Sequence, residues 1–158
     1  MAYNGAFLWV VATAADRTAY ANTGRLKTIS NTVYLSFPMQ YLAKGGYECT
    51  PNIREEVKAY RDDNTRNLTR VTASGTKTSM TLRMLGGLSN AKKKDVFKWF
   101  TDHESDALQR KVSVLFYDPD TDGYRTGNFY RTDTQLTALI TTSTDIIWDA
   151  FEIEMVQY

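Results

Sequence analysis

The chain has one histidine, His103, and one cysteine, Cys49, and these two residues bound its nucleophilic chemistry. A serine or cysteine nucleophile needs a base within hydrogen-bond reach, itself oriented by a third group. His103 falls at the polar end of a helical stretch, in a different segment from Cys49. It reads as a cation well placed at a helix C-terminus, and Cys49 reads as a small buried or half-buried thiol. With one cysteine there is no internal disulfide. Asp118, Asp120 and Asp122, followed by Gly123, begin like a calcium loop, but the glutamate that should close such a loop is replaced by Phe129. The acidic run therefore reads as a hairpin tip. Glu55 and Glu56, and Glu152 and Glu154, are paired carboxylates whose simpler account is a solvated strand edge. Gly86-Gly87 alone makes no phosphate loop, and no Cys/His set has zinc spacing. The expectation is no catalytic residue, no metal ligand and no cofactor, so not an enzyme.

The elements that would hold these residues follow from composition and period. At 158 residues the chain is expected to form one domain, with 1–31 as an N-terminal arm and loop region and 32–158 as the core. Its 19 Lys and Arg nearly cancel its 18 Asp and Glu. That balance argues against a nucleic-acid-binding module and against a polybasic membrane anchor. No run approaches the length of about 18 apolar residues that spans a bilayer. Ala6–Ala15 has the look of a signal-peptide core but lacks a preceding positive charge, so it reads as part of the mature protein, a strand or a packing arm, and synthesis in the cell interior is expected.

Phe7–Thr13 is apolar and β-branched and reads as a buried strand, packed in its own subunit or on a neighbour. Ala14–Ser30 reads as a loop. Thr32–Phe37 alternates and is stopped by Pro38. Gly45-Gly46 and Pro51-Asn52 are turn signals around a short segment, Tyr47–Thr50. Ile53–Arg61 is compatible with helix or strand. The Asp62–Asn64 turn and the Thr- and Val-rich Asn67–Thr72 that follow favour strand, in a meander that turns at Ser74-Gly75 into Thr76–Leu85. Met80, Leu82 and Met84 share one face of that last strand. Leu88–His103 has a helical period, capped by Ser89 or Asn90. Its apolar stripe is Val96, Phe97 and Phe100 with Trp99 adjacent, and Lys92, Lys93, Lys94 and Lys98 fill the other side. Lysines at a helix start oppose the dipole and hint at an acidic neighbour. Lys111–Tyr117 and Tyr124–Arg131 form a hairpin joined by Asp118–Gly123. Asp133–Thr144 reads as a long Thr-rich link, and Asp145–Tyr158 as one terminal strand in the middle of a sheet. The class is α+β, mostly β.

From Thr76 to Tyr158 the order of pieces resembles a family of small tail proteins of tailed bacteriophages and prophages. The residues that carry the resemblance are Lys77–Leu82, the helix, the Tyr-Asp-Pro…Thr-Asp-Gly-Tyr-Arg-Thr-Gly-Asn-Phe-Tyr hairpin from Tyr117 to Tyr130, and the final Phe151–Met155. The resemblance implies two packed antiparallel sheets, as a sandwich or open barrel, with one flanking α-helix. It implies a structural component of a virion tail (tube, baseplate hub or tail-completion ring) made in the host cytoplasm. Its partners would be copies of itself, joined by heterologous contacts in a ring, and other tail or baseplate proteins, with no nucleic-acid specificity and no membrane. Tube subunits usually line an electronegative channel and this chain is nearly neutral, so all three positions stay open. By the same analogy the interface candidates are Phe7, Leu8, Trp9 and Val10 in the N-terminal strand, and Arg54, Tyr60, Arg61, Arg66 and Arg70 in the Arg54–Val71 hairpin. Asp118, Asp120, Asp122 and Tyr124 at the acidic tip complete the set. The alternative is a receptor- or carbohydrate-binding β-sandwich module of a virion. Trp99 and Trp9 are expected inside, which leaves Trp148 as its one exposed stacking platform.

Overall fold

Val112, Val114 and Phe116 alternate with Ser113, Leu115 and Tyr117, and the two-residue period builds a strand whose first set is buried. The fold grows outward from that strand. A computed structural model describes residues 2–54, 56–72 and 75–158. In chain order its elements are β1 (Leu8–Val11), α1 (Ala14–Ala19), β2 (Leu26–Ile29), β3 (Thr32–Ser36), a 3-10 turn (Met39–Tyr41), β4 (Leu42–Ile53), β5 (Glu56–Arg61), β6 (Leu68–Thr72), β7 (Lys77–Met84), β8 (Leu88–Ser89), α2 (Asn90–Thr101), β9 (Glu104–Asp106), β10 (Lys111–Asp118), β11 (Gly123–Arg131), β12 (Ala138–Thr141), β13 (Ile146–Trp148) and β14 (Glu152–Gln157). Among the described residues, one nine-stranded sheet runs β2-β3-β1-β10-β11-β14-β7-β4, with β9 beside β10. A three-stranded sheet runs β12-β13-β8, and β5 pairs with β6. The class is α+β, mostly β. The main sheet is antiparallel and curled, so of the two expected forms the open barrel describes it.

Several segments depart from the sequence reading, each for a local reason. Ala14–Ser30, expected as a loop, holds α1 and β2. Helix α1 is too short to stand alone, but Thr13 and Asp16 form a reciprocal capping box at its start. Strand β2 returns on β3 through Ser30 and Asn31, both at positive φ, as in the tight hairpin turns whose twist suits the strands. Residues 1–31, expected as an arm, thus supply two strands to the main sheet. Gly45-Gly46 and Pro51-Asn52 do not end a strand. They lie inside β4, at register shifts against β7, with Gly45 and Asn52 at positive φ. Pro51 is tolerated because β4 is an edge.

The meander is also corrected. β5 and β6 form a hairpin that pairs only with itself among the described residues, and β7 pairs with β4 and β14 instead. The expected turn at Ser74 and the carboxylate of Glu55 lie outside the described residues. The Thr-rich link contains β12. The terminal segment is two strands, β13 and β14, in different sheets, and β14 does lie between β11 and β7.

Leu8, Val10, Leu35, Phe37, Met80, Leu82, Met84, Val112, Phe116, Phe129, Ile153 and Met155 from the main sheet join Val96, Trp99 and Phe100 of α2 in one apolar cluster. Phe37 meets Trp99 edge to face, with ring centroids 5.2 Å apart. Ser89 caps α2, and the Asp145 carboxylate accepts from Asn90 N–H at 3.3 Å, the acidic neighbour that the lysine-rich helix start called for. Gly46 is buried where a Cβ would sit 2.5 Å from the Arg83 carbonyl oxygen and 2.7 Å from that of Ala43. Both contacts are rigid backbone. We expect Gly46→Ala to lower unfolding free energy by about 2 kcal/mol or more, read from the denaturation midpoint; an unchanged midpoint would mean that β4 does not approach β7 this closely.

Candidate functional site

The residues with chemical potential are spent on structure. His103, expected at a polar helix end, is buried with its side chain 5% exposed. Its Nδ1 lies 2.7 Å from the Trp99 carbonyl oxygen and its Nε2 lies 2.6 Å from Asp16 Oδ2. A carbonyl oxygen only accepts, so Nδ1 carries a proton, and Nε2 shares another with the carboxylate. Neither nitrogen has a lone pair free to serve a nucleophile. The sequence reading missed this pair, although the Thr13-x-x-Asp16 capping signature was present. Asp16 feels three influences. Burial opposes its charge, but the Thr13 N–H and the His103 ring outweigh it and hold the carboxyl below its usual range.

Cys49 is half-buried on β4, and burial pushes its thiol up, away from the thiolate form. It lines an open cleft of about 590 Å³ with Phe7, Tyr47, Glu48, Thr50, Tyr117 and Pro119. Phe7 stacks on Tyr47 with ring centroids 4.3 Å apart. Burial also pushes the Tyr47 phenol up, and its hydroxyl donates to the Tyr117 carbonyl oxygen. The cleft thus holds no activated nucleophile. No group of three or more His, Cys, Asp or Glu among the described residues is arranged to hold a metal. No helix among them is long and apolar enough to cross a membrane.

The expected interface residues separate into three sets. Leu8, Trp9 and Val10 are buried in their own sheet between β10 and β3, and Phe7 is half-buried beside them. At the acidic tip, Asp118 is fully buried: its Oδ2 lies 2.7 Å from Arg125 Nε, an attraction of charge rather than an aligned hydrogen bond, and its Oδ1 accepts from Asp120 N–H. Tyr124 donates to the Ala6 carbonyl and accepts from Asn4 N–H, which ties the N-terminus to β11. Asp120 and Asp122 remain exposed, bonded to Asn52 and Tyr117. The third set, Arg54, Tyr60, Arg61, Arg66 and Arg70, is exposed on and before the β5–β6 hairpin, with Tyr60 at 49%.

Trp9 and Trp99 are buried, as expected. Trp148 is half-buried: its indole N–H donates to Asn90 and Lys93 Nζ covers its ring at 4.3 Å. It is therefore not an open stacking platform. A surface the sequence reading missed is β12, whose four side chains are all exposed.

Residues 21–158 match the model of a family described as a family of unknown function, DUF6711. No curated protein matches the chain. Among solved structures, the tail of an empty GTA particle, computed with helical refinement in C6 symmetry, is similar at a TM-score of 0.49. It is 12% identical, over 99% of this chain and 95% of that one.

The Asp16–His103 pair gives a pH signature. A carboxyl held low in the fold contributes stability above its unfolded pKa and loses it as pH falls through the folded value. Stability should therefore decline below about pH 4, and Asp16→Asn should flatten that decline in an acid titration followed by Trp fluorescence. At neutral pH His103→Ala, which strands a buried carboxylate, should cost about 3 kcal/mol. A cost near zero would show the pair to be solvated.

Proposed function

The chain belongs to this family of unknown function, DUF6711, and we propose that it is a structural component of a bacteriophage tail that works by assembling with copies of itself and with other tail proteins, without turnover. The observation that carries the reading is the β5–β6 hairpin. Among the described residues its strands pair with neither of the other sheets, and Tyr60 and Leu68 are about half exposed. A two-stranded ribbon of this kind is marginal in water by itself, so it is built to be covered.

Three further features agree. The hairpin from Tyr117 to Tyr130, on which the resemblance to phage tail proteins rests, forms the register-perfect centre of the sheet. Among the described residues the main sheet path ends in two open edges, β2 and β4. The histidine, the cysteine and the buried Asp118 are committed to packing and pairing. A tube, a baseplate hub and a tail-completion ring all use such contacts, with the virion as the site of action. The glycan-binding alternative loses its platform at Trp148.

We expect the purified chain to form rings or stacks of fixed symmetry in negative-stain images and a discrete multimer by light scattering, with population rising with concentration. A species that stays monomeric up to high concentration and binds no tail protein overturns the reading.

A further inference from the structure

Two sheets of this chain stop short, and their unfinished edges match. The first is β5–β6. The second is β12, the outer strand of the β12-β13-β8 sheet. All four β12 side chains are exposed, with Leu139 at 53% and Ile140 at 55%. Exposed edges are normally protected by charge, proline or bulges. Residues 134–144 contain no Lys, Arg, Asp, Glu, Pro or Gly. A register shift between Ala138 and Ile140 is the one irregularity against β13, and it leaves both apolar side chains in the open. Such a segment, rich in Thr, Leu and Ile, is an adhesive strand if left uncovered.

Charge points to what covers it. Residues 132–158 carry Asp133, Asp145, Asp149, Glu152 and Glu154 and no Lys or Arg; Asp133 is paired with Arg110 and Glu152 with Arg83 inside the chain, which leaves Asp145, Asp149 and Glu154 as the acidic groups to offer. Residues 64–94 carry Arg66, Arg70, Lys77, Arg83 and Lys92–Lys94 and no Asp or Glu, and of these Arg83 is already held by Glu48 and Glu152. β6 lies in the basic stretch and β12 in the acidic one. β6 also presents Leu68 at 52% exposure, whereas β5 carries Glu56, Lys58 and Arg61 in its sequence.

We propose that β6 of one copy adds to the β12 edge of the next copy, so that hairpin and small sheet become one continuous sheet across the contact. This rests on the self-assembly reading above and adds which two surfaces meet. Main-chain hydrogen bonds supply affinity and the opposite charges supply direction. The two edges differ, so the contact is head to tail and propagates into a ring or stack.

The test uses the full chain. Leu139→Lys with Ile140→Lys, and separately Leu68→Lys, should raise the concentration needed for assembly about tenfold or more. Leu108→Lys, at a residue 94% exposed outside both sheets, should leave it unchanged. Circular dichroism of the monomers should match wild type throughout. Independently, in a Cys49→Ser background, Leu68→Cys and isotope-labelled Ile140→Cys chains are mixed and oxidised. A disulfide joining one chain of each kind is the expected product. Self-linked Ile140→Cys dimers would overturn the proposal in favour of β12 pairing with its own copy. Wild-type multimers that tolerate all three lysines would overturn it and leave the assembly reading standing. A wild-type chain that never assembles would remove both.

Discussion

Backbone hydrogen bonding is the constraint on which this molecule depends. A strand has donors and acceptors along both sides, and a sheet satisfies them everywhere except at its two outer strands. Here the inner ladder is continuous. β10 pairs with β11 over its whole length and with β1 and β9 on its other side, and β14 joins β11 to β7. Burying Phe116, Phe129, Ile153 and Met155 under α2 then follows from alternation alone. What the ladder does not satisfy is pushed to its margins. Among the described residues the margins of the main sheet are β2 and β4, and the small sheet has its own at β12, where every side chain is exposed and none is charged.

The same economy explains the fate of the polar groups. In a chain with one histidine, a catalytic role would leave a ring nitrogen available in a cleft. His103 instead joins the end of α2 to the start of α1, with both nitrogens occupied. Arg83 is held between Glu48 and Glu152, so three neighbouring strands β4, β7 and β14 are tied on their exposed face. Tyr124 and Asp118, which seemed fit for a surface tip, pin the N-terminus and neutralise Arg125. Polar residues of this protein act mainly on its own backbone and on each other.

Much of the fold was legible because its signals are local. The alternation in Lys77–Met84 and Lys111–Asp118, the Ser89 cap and the apolar stripe of α2 each declare themselves within a few residues. What was misread depends on partners distant in sequence. α1 needs His103, which lies 87 residues away. Gly45-Gly46 and Pro51-Asn52 punctuate the sequence like turns, and only the register of β7 shows them to be bulges within one long strand. Strand β12, inside the Thr-rich link, has strand propensity but no alternation, since none of its side chains is buried. Its lack of burial is the same property that marks it as a surface awaiting a neighbour.

The proposed role rests on the open margins being covered by a neighbouring copy. Hydrogen exchange of the free and the assembled chain measures that cover amide by amide. The account predicts that amides of residues 59–70 and 138–141 exchange quickly in the monomer and become protected in the multimer, while those of β10 and β11 are protected in both. Equal exchange at the margins in the two states would contradict it.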